Sequence, residues 1–97
     1  MAVYRCVGEF TYSNKTNRDN CLTQVNAAVA AHPTAAPWDG LLAGSGGVTT
    51  SGSTTLRVSF ELPDEPTAVA FERSINTAAA VSSKTAGALA LAMVGAG

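Results

Sequence analysis

Two stretches of this chain alternate apolar and polar residues with period two, and their charges are complementary. Residues 4–12 place Tyr4, Cys6, Gly8, Phe10 and Tyr12 on one side, and Arg5, Val7, Glu9 and Thr11 on the other. Residues 54–62 place Leu56, Val58, Phe60 and Leu62 against Thr55, Arg57, Ser59 and Glu61. Such alternation marks a strand with one buried face. An antiparallel pairing that sets Arg5 opposite Glu61 also sets Glu9 opposite Arg57. The same register puts Cys6 against Phe60 and Phe10 against Leu56 on the inner face. A shift of one residue would turn every apolar side chain outward, so the pattern specifies both the partner and the register.

Polar segments rich in capping residues separate further elements. Thr16 or Asn17 can cap a helix running from Asn17 or Arg18 to Ala31, with Cys21, Leu22, Val25, Ala28, Val29 and His32 at three- and four-residue spacing. Pro33 stops it. After a connection through Trp38 and Asp39, residues 41–50 read as a second strand interrupted by Gly44, Ser45, Gly46 and Gly47. A tight turn at Ser51 and Gly52 would set Leu41 opposite Leu62 and Ala43 opposite Phe60. Asp64, Glu65 and Pro66 form a helix start. Ala68, Phe71, Ile75, Ala78 and Ala79 make its inner face, and its end is expected near Val81 or Ser82. Residues 85–94 alternate Leu89, Leu91 and Met93 with Ala86, Ala88, Ala90 and Ala92, which predicts a closing strand.

The resulting order is strand, helix, strand, strand, helix, strand. That is the α+β, ferredoxin-like βαββαβ sandwich: a four-stranded antiparallel sheet with two helices on one face, here as one domain over residues 1–97. Its sheet order places the first strand beside the third, in agreement with the charge match. Arg5, Glu9 and Phe10 also echo Arg57, Glu61 and Leu62 at a constant offset, as either a two-fold pseudo-repeat or chance alternation would produce.

The chemistry on offer is sparse. Formal net charge is −1 and 13% of the 97 residues are charged, so nothing resembles the basic footprint of a nucleic-acid binder or a polybasic membrane patch. The aromatic residues of the first strand point inward, which leaves no base-stacking platform. The apolar run 86–94 is too short to span a bilayer. The first five residues lack the apolar segment of a secretory signal, so a cytoplasmic or particle-associated protein is expected. Cys6 and Cys21 have no C-x-x-C spacing and only His32 to help them, so no metal site is expected. A strand of about 3.3 Å per residue running away from Cys6 and a helix returning at about 1.5 Å per residue leave the two too far apart for a disulfide, and both are expected as buried free thiols.

His32 at a helix C-terminus reads as a cap for the last carbonyls. With Trp38, Asp39, Tyr4 and Tyr12 it exhausts the acid–base repertoire, and the spacing demands no catalytic site. The glycine-rich segment lacks the Lys and Ser or Thr of a phosphate loop. Asn14, Lys15 and Thr16 form a glycosylation triplet, which carries no weight without secretion. The closing strand is apolar on both faces, which is hazardous at a sheet edge unless something covers it. Ala86, Ala88, Ala90 and Ala92, together with Arg5, Glu9, Arg57 and Glu61 on the helix-free face, are therefore the candidate interface. The expected function is a non-catalytic structural or assembly module without cofactor, which self-associates or packs with other subunits in a larger particle such as a virion. The alternative is a small dimeric enzyme or ligand-binding protein, resembling an α+β barrel. Its pocket would lie between two sheet faces, with His32, Trp38, Asp39 or Tyr12 for chemistry and Arg5 and Arg57 as anion partners.

Overall fold

The computed structural model describes residues 3–40, 42–82 and 84–94. Strand β1 (Val3–Tyr12) leads into helix α1 (Lys15–Ala30), the short strand β2 (Ala36–Pro37), and the hairpin of β3 (Gly47–Ser51) and β4 (Thr55–Leu62). Helix α2 (Glu65–Ala78) and the strands β5 (Lys84–Ala86) and β6 (Ala90–Val94) complete the order. Among the described residues the fold is a mixed α+β arrangement, two helices on an open antiparallel sheet of six strands. The central pair is β1 and β4, with Arg5 opposite Glu61, Cys6 opposite Phe60, Glu9 opposite Arg57 and Phe10 opposite Leu56. This is the register that the alternating charges specify.

The outer strands explain why there are six rather than the four expected. Both β2 and β3 pair with the same edge of β4: Ala36 and Pro37 lie opposite Glu61 and Phe60, and Gly47–Ser51 continues opposite Ser59 to Thr55. One strand path is thus interrupted by an excursion over residues 38–46. The expected hairpin register is wrong, because the turn is wider than a two-residue one and Ser51 pairs with Thr55 around Gly52, whose φ is +61°. Pro37, not Ala43, lies opposite Phe60. Leu41 lies outside the described residues. On the other side, β6 and β5 both pair with β1, setting Ala92 opposite Arg5, Leu91 opposite Cys6, Ala90 opposite Val7 and Ala86 opposite Thr11.

The single closing strand expected over 85–94 is therefore two pieces in nearly one register, separated at residues 87–89. Gly8 and Gly87 permit the break. A Cβ on Gly8 would collide with the Ala88 carbonyl oxygen. Gly87 has a φ of +103° and passes against the Glu9 carbonyl. From α2, Asn76 grips the detached segment: its Oδ1 accepts from the Leu89 N–H at 2.7 Å and its Nδ2 donates to the Leu89 carbonyl at 3.3 Å. These bonds replace the ladder bonds that Leu89 forgoes.

Both helices cover the face that carries Cys6, Phe10, Leu56, Val58 and Phe60, and α1 contributes Cys21 and Val25 while α2 contributes Ala68, Phe71 and Ile75 to the same core. Asn14 caps α1 by accepting from Asn17 N–H at 2.9 Å, in place of the expected Thr16 or Asn17. Asp64 caps α2 as expected, accepting from Thr67 N–H at 2.9 Å. Helix α2 ends at Ala78, earlier than Val81, and Tyr12 donates at 2.6 Å to the carbonyl of Ala79 just beyond it. The buried Arg18 ties α1 to the hairpin turn, donating to the carbonyls of Gly52 and Thr55 at 3.2 and 3.4 Å while Asp19 balances its charge at 2.7 Å. No described helix is long and apolar enough to cross a membrane.

Candidate functional site

The sheet face away from the helices presents a two-by-two arrangement of charge. Arg5 and Glu9 lie on β1, with Glu61 and Arg57 directly opposite on β4. Arg57 Nε donates to Glu9 Oε2 at 2.7 Å. Arg5 Nε stands 3.5 Å from Glu61 Oε2, close enough for an ion pair but not aligned for a hydrogen bond, and Nε itself is buried. Every lateral neighbour is an opposite charge and every diagonal neighbour a like one. Such half-exposed cross-strand pairs contribute roughly 0.2–1 kcal/mol each, so their main effect is on register.

What shelters Arg5 is Trp38. Its ring lies 4.0 Å from the Arg5 guanidinium carbon, a stacked cation–π contact. Trp38 stands at the start of the 38–46 excursion, held by its N–H to the Ser59 carbonyl at 3.1 Å and by the Ser59 hydroxyl, which donates to the Trp38 carbonyl. Gly40 leaves room for the ring, since a Cβ there would fall inside it. Ser45 closes the excursion by a turn in which its Oγ accepts from Leu42 N–H at 2.9 Å and donates to Leu42 O at 2.6 Å. Ser59 is fully buried as a result, although it belongs to the helix-free face.

Between the two charged rows the surface is small and neutral. Ala90, Val7, Ser59 and Gly47 follow one another across the sheet. Ala86 and Ala90 are exposed beside β1. Ala88 is exposed too, but it sits in the break at residues 87–89 and has no ladder partner. The backbone of Ala92 pairs with Arg5. The alanines are thus an interrupted column, not a continuous one.

The residues available for acid–base chemistry are not brought together. His32 is on the helix side, with Nδ1 3.0 Å from the Ala28 carbonyl oxygen and its ring edge-on to Phe71. This is the helix cap expected of it. Tyr12 is buried at the far end of β1, where burial above all raises its hydroxyl pKa. Trp38 and exposed Asp39 lie by the opposite sheet face. The cysteines are free and buried, and burial, with a smaller effect from Glu72, pushes the Cys6 thiol up to about 12. Among the described residues no three His, Cys, Asp or Glu side chains group closely enough to hold a metal ion. A shallow groove between the helices, lined by Gln24, Ala28, Arg73, Thr77 and Val81, presents little chemistry beyond one guanidinium.

Sequence reasoning missed Trp38 as the cover of Arg5 and Asn76 as the clip on Leu89. Gly40 two residues after Trp38 was the one available signal for the first. Nothing marked Asn76, a polar residue on a helix with many. Compared with known proteins, the chain matches no family model, no curated protein and no solved structure.

Proposed function

We propose that this chain is a non-catalytic structural or assembly module that self-associates or packs with other protein subunits into a larger particle, a viral structural component being one such setting. The observation that carries this reading is the helix-free sheet face. Its charges are already matched within the sheet, and exposed alanines flank them at the edge strands. Paired charges and small side chains lower the cost of covering a surface with another protein, because few unpaired groups need be desolvated.

The framework proposed for it is ferredoxin-like. In support, β4 lies antiparallel beside β1, the β2/β3 path flanks β4, and the β5/β6 path flanks β1. Each split outer path does the work of one strand in that arrangement. The fold class does not choose a function, so the assembly reading stands on the face itself. Light scattering tests it. A mass above the 9.8 kDa of one chain at micromolar concentration is the expected result. A stable monomer there overturns the reading.

A further inference from the structure

The geometry points to a second copy of this chain as the partner of the helix-free face, docked sheet to sheet about a two-fold axis that runs across the strands between the two charged rows. The inference rests on the assembly reading and names its partner. Its basis is that the charge arrangement is its own complement. Along β1 the order is Arg5, Val7, Glu9, and along antiparallel β4 it is Arg57, Ser59, Glu61. Turning one copy over about an axis through the Val7–Ser59 row lays Arg5 on Glu9 of the second copy and Glu61 on its Arg57. All four corners then face an opposite charge, Arg5 across its Trp38 cover, and Val7 and Ala90 face their own counterparts at the neutral centre while Ser59 stays buried. The rows are about 13 Å apart along the strand, from four residues at roughly 3.3 Å. Crossing the strands at right angles would carry the corners off one another, so the complementarity selects aligned packing.

Trp38 decides between the two aligned choices. An axis parallel to the strands would also oppose unlike charges, laying Arg5 on Glu61. It would, however, bring both copies of Trp38 to the same end of the interface and wedge the sheets apart. The transverse axis sends the two rings to opposite ends. Sheets packed face to face lie about 10 Å apart, which accommodates a ring stacked 4.0 Å above a guanidinium. Four strand widths by about eight residues give a face of about 19 by 26 Å, on the order of 500 Å² per copy. That is at the small end of specific interfaces, so the dimer should dissociate in the micromolar range and weaken with salt.

Two double variants test this, since each keeps its in-sheet ion pair while reversing one row. In E9R/R57E the transverse axis lays Arg on Arg and Glu on Glu. In R5E/E61R it lays Glu on Glu and Arg on Arg. Each variant alone should be monomeric, with association weakened at least about tenfold, the step that 1.4 kcal/mol of lost complementarity produces. Mixed one to one, they are mutually complementary at all four corners and should associate again. Sedimentation velocity on each variant and on the mixture reads all three states, with circular dichroism confirming the fold. Should a double variant fail to fold, A90R supplies the second probe, because exposed Ala90 lies at the centre of the contact and its substitution must also give monomers. Failure of the mixture to associate, or an E9R/R57E protein that associates as tightly as the parent, overturns the docking. If the parent associates and these outcomes still occur, the assembly reading survives and only this face is wrong. A monomeric parent defeats both.

Discussion

Gly8 and Asn76 shape the closing strand from outside it. The backbone at Ala88 and Leu89 comes so close to Gly8 that a methyl group would meet the Ala88 carbonyl oxygen. That contact is with backbone, so relief requires moving the strand. Gly8→Ala should cost about 1–3 kcal/mol in urea unfolding, the range for overpacking a filled site. An unchanged midpoint would show that the segment shifts freely. Asn76→Leu removes both bonds to Leu89 and should also cost about 1–3 kcal/mol, the penalty for leaving buried groups unpartnered. Its signature is selective, since amide exchange should accelerate at Leu89 before it does in β1 or β4. Cys6 gives a different readout. Its pKa rises from an ordinary 9.0 to about 12 because the core penalises the thiolate. The unfolded thiol ionises first as pH rises, so ionisation of Cys6 erodes stability from pH 9 towards 12 and contributes nothing below that window. Cys6→Ala should flatten that alkaline decline while losing packing at all pH values.

At the scale of elements, β1 and β4 were legible in the sequence because both faces of each strand carry information. Apolar residues mark the inner face, and Arg5, Glu9, Arg57 and Glu61 fix the register on the outer one. The outer strands offered no such redundancy. Residues 36–51 form one path with an excursion in its middle, and the excursion shifts the register without altering the local apolar pattern. Residues 84–94 alternate correctly, but alternation cannot show that Gly87 and Ala88 leave the ladder, because that depends on Gly8 and Asn76 elsewhere in the chain. For the same reason the candidate face was legible in its charges and not in its cover: Trp38 reaches Arg5 only because β2 pairs with β4. The helix starts were easier, since a capping side chain acts within three residues. They also yield a contrast. Hydrogen bonds from Thr67 hold the Asp64 carboxyl below its ordinary 3.8. Its contribution is present above that value and is lost as pH falls through the depressed pKa. Asp64→Asn keeps an acceptor at the cap without the titration, so its stability relative to the parent should improve on acidification below pH 3.8. Asn14→Ala should instead cost about 1 kcal/mol at every pH, as the loss of an uncharged cap does. Parallel pH profiles for parent and Asp64→Asn would remove the carboxylate from the account.

The whole molecule divides into two halves of like element order that share one core. β1, α1 and the β2/β3 path make the first; β4, α2 and the β5/β6 path make the second. The echo of Arg5 and Glu9 in Arg57 and Glu61 falls on the two strands that join the halves at the centre of the sheet. The core is shared in the same way. Phe10, Cys21 and Val25 come from the first half and Leu56, Phe60, Phe71 and Ile75 from the second, all in one cluster. A chain of about half this length would leave an inner face exposed and fall near the lower size limit for independent folding. The turn between the halves is a suitable place to divide them, because Gly52 is exposed and has no neighbour within 4 Å of the space its Cβ would fill. Peptides covering residues 1–52 and 53–97 should each lack a cooperative unfolding transition. Mixed in equal amounts, they should recover the circular dichroism of the intact chain and unfold in one step, with a midpoint that rises with concentration. Cooperative folding of either peptide alone would show that its half has its own core, and that the central β1–β4 pairing is a junction between units rather than the origin of the fold.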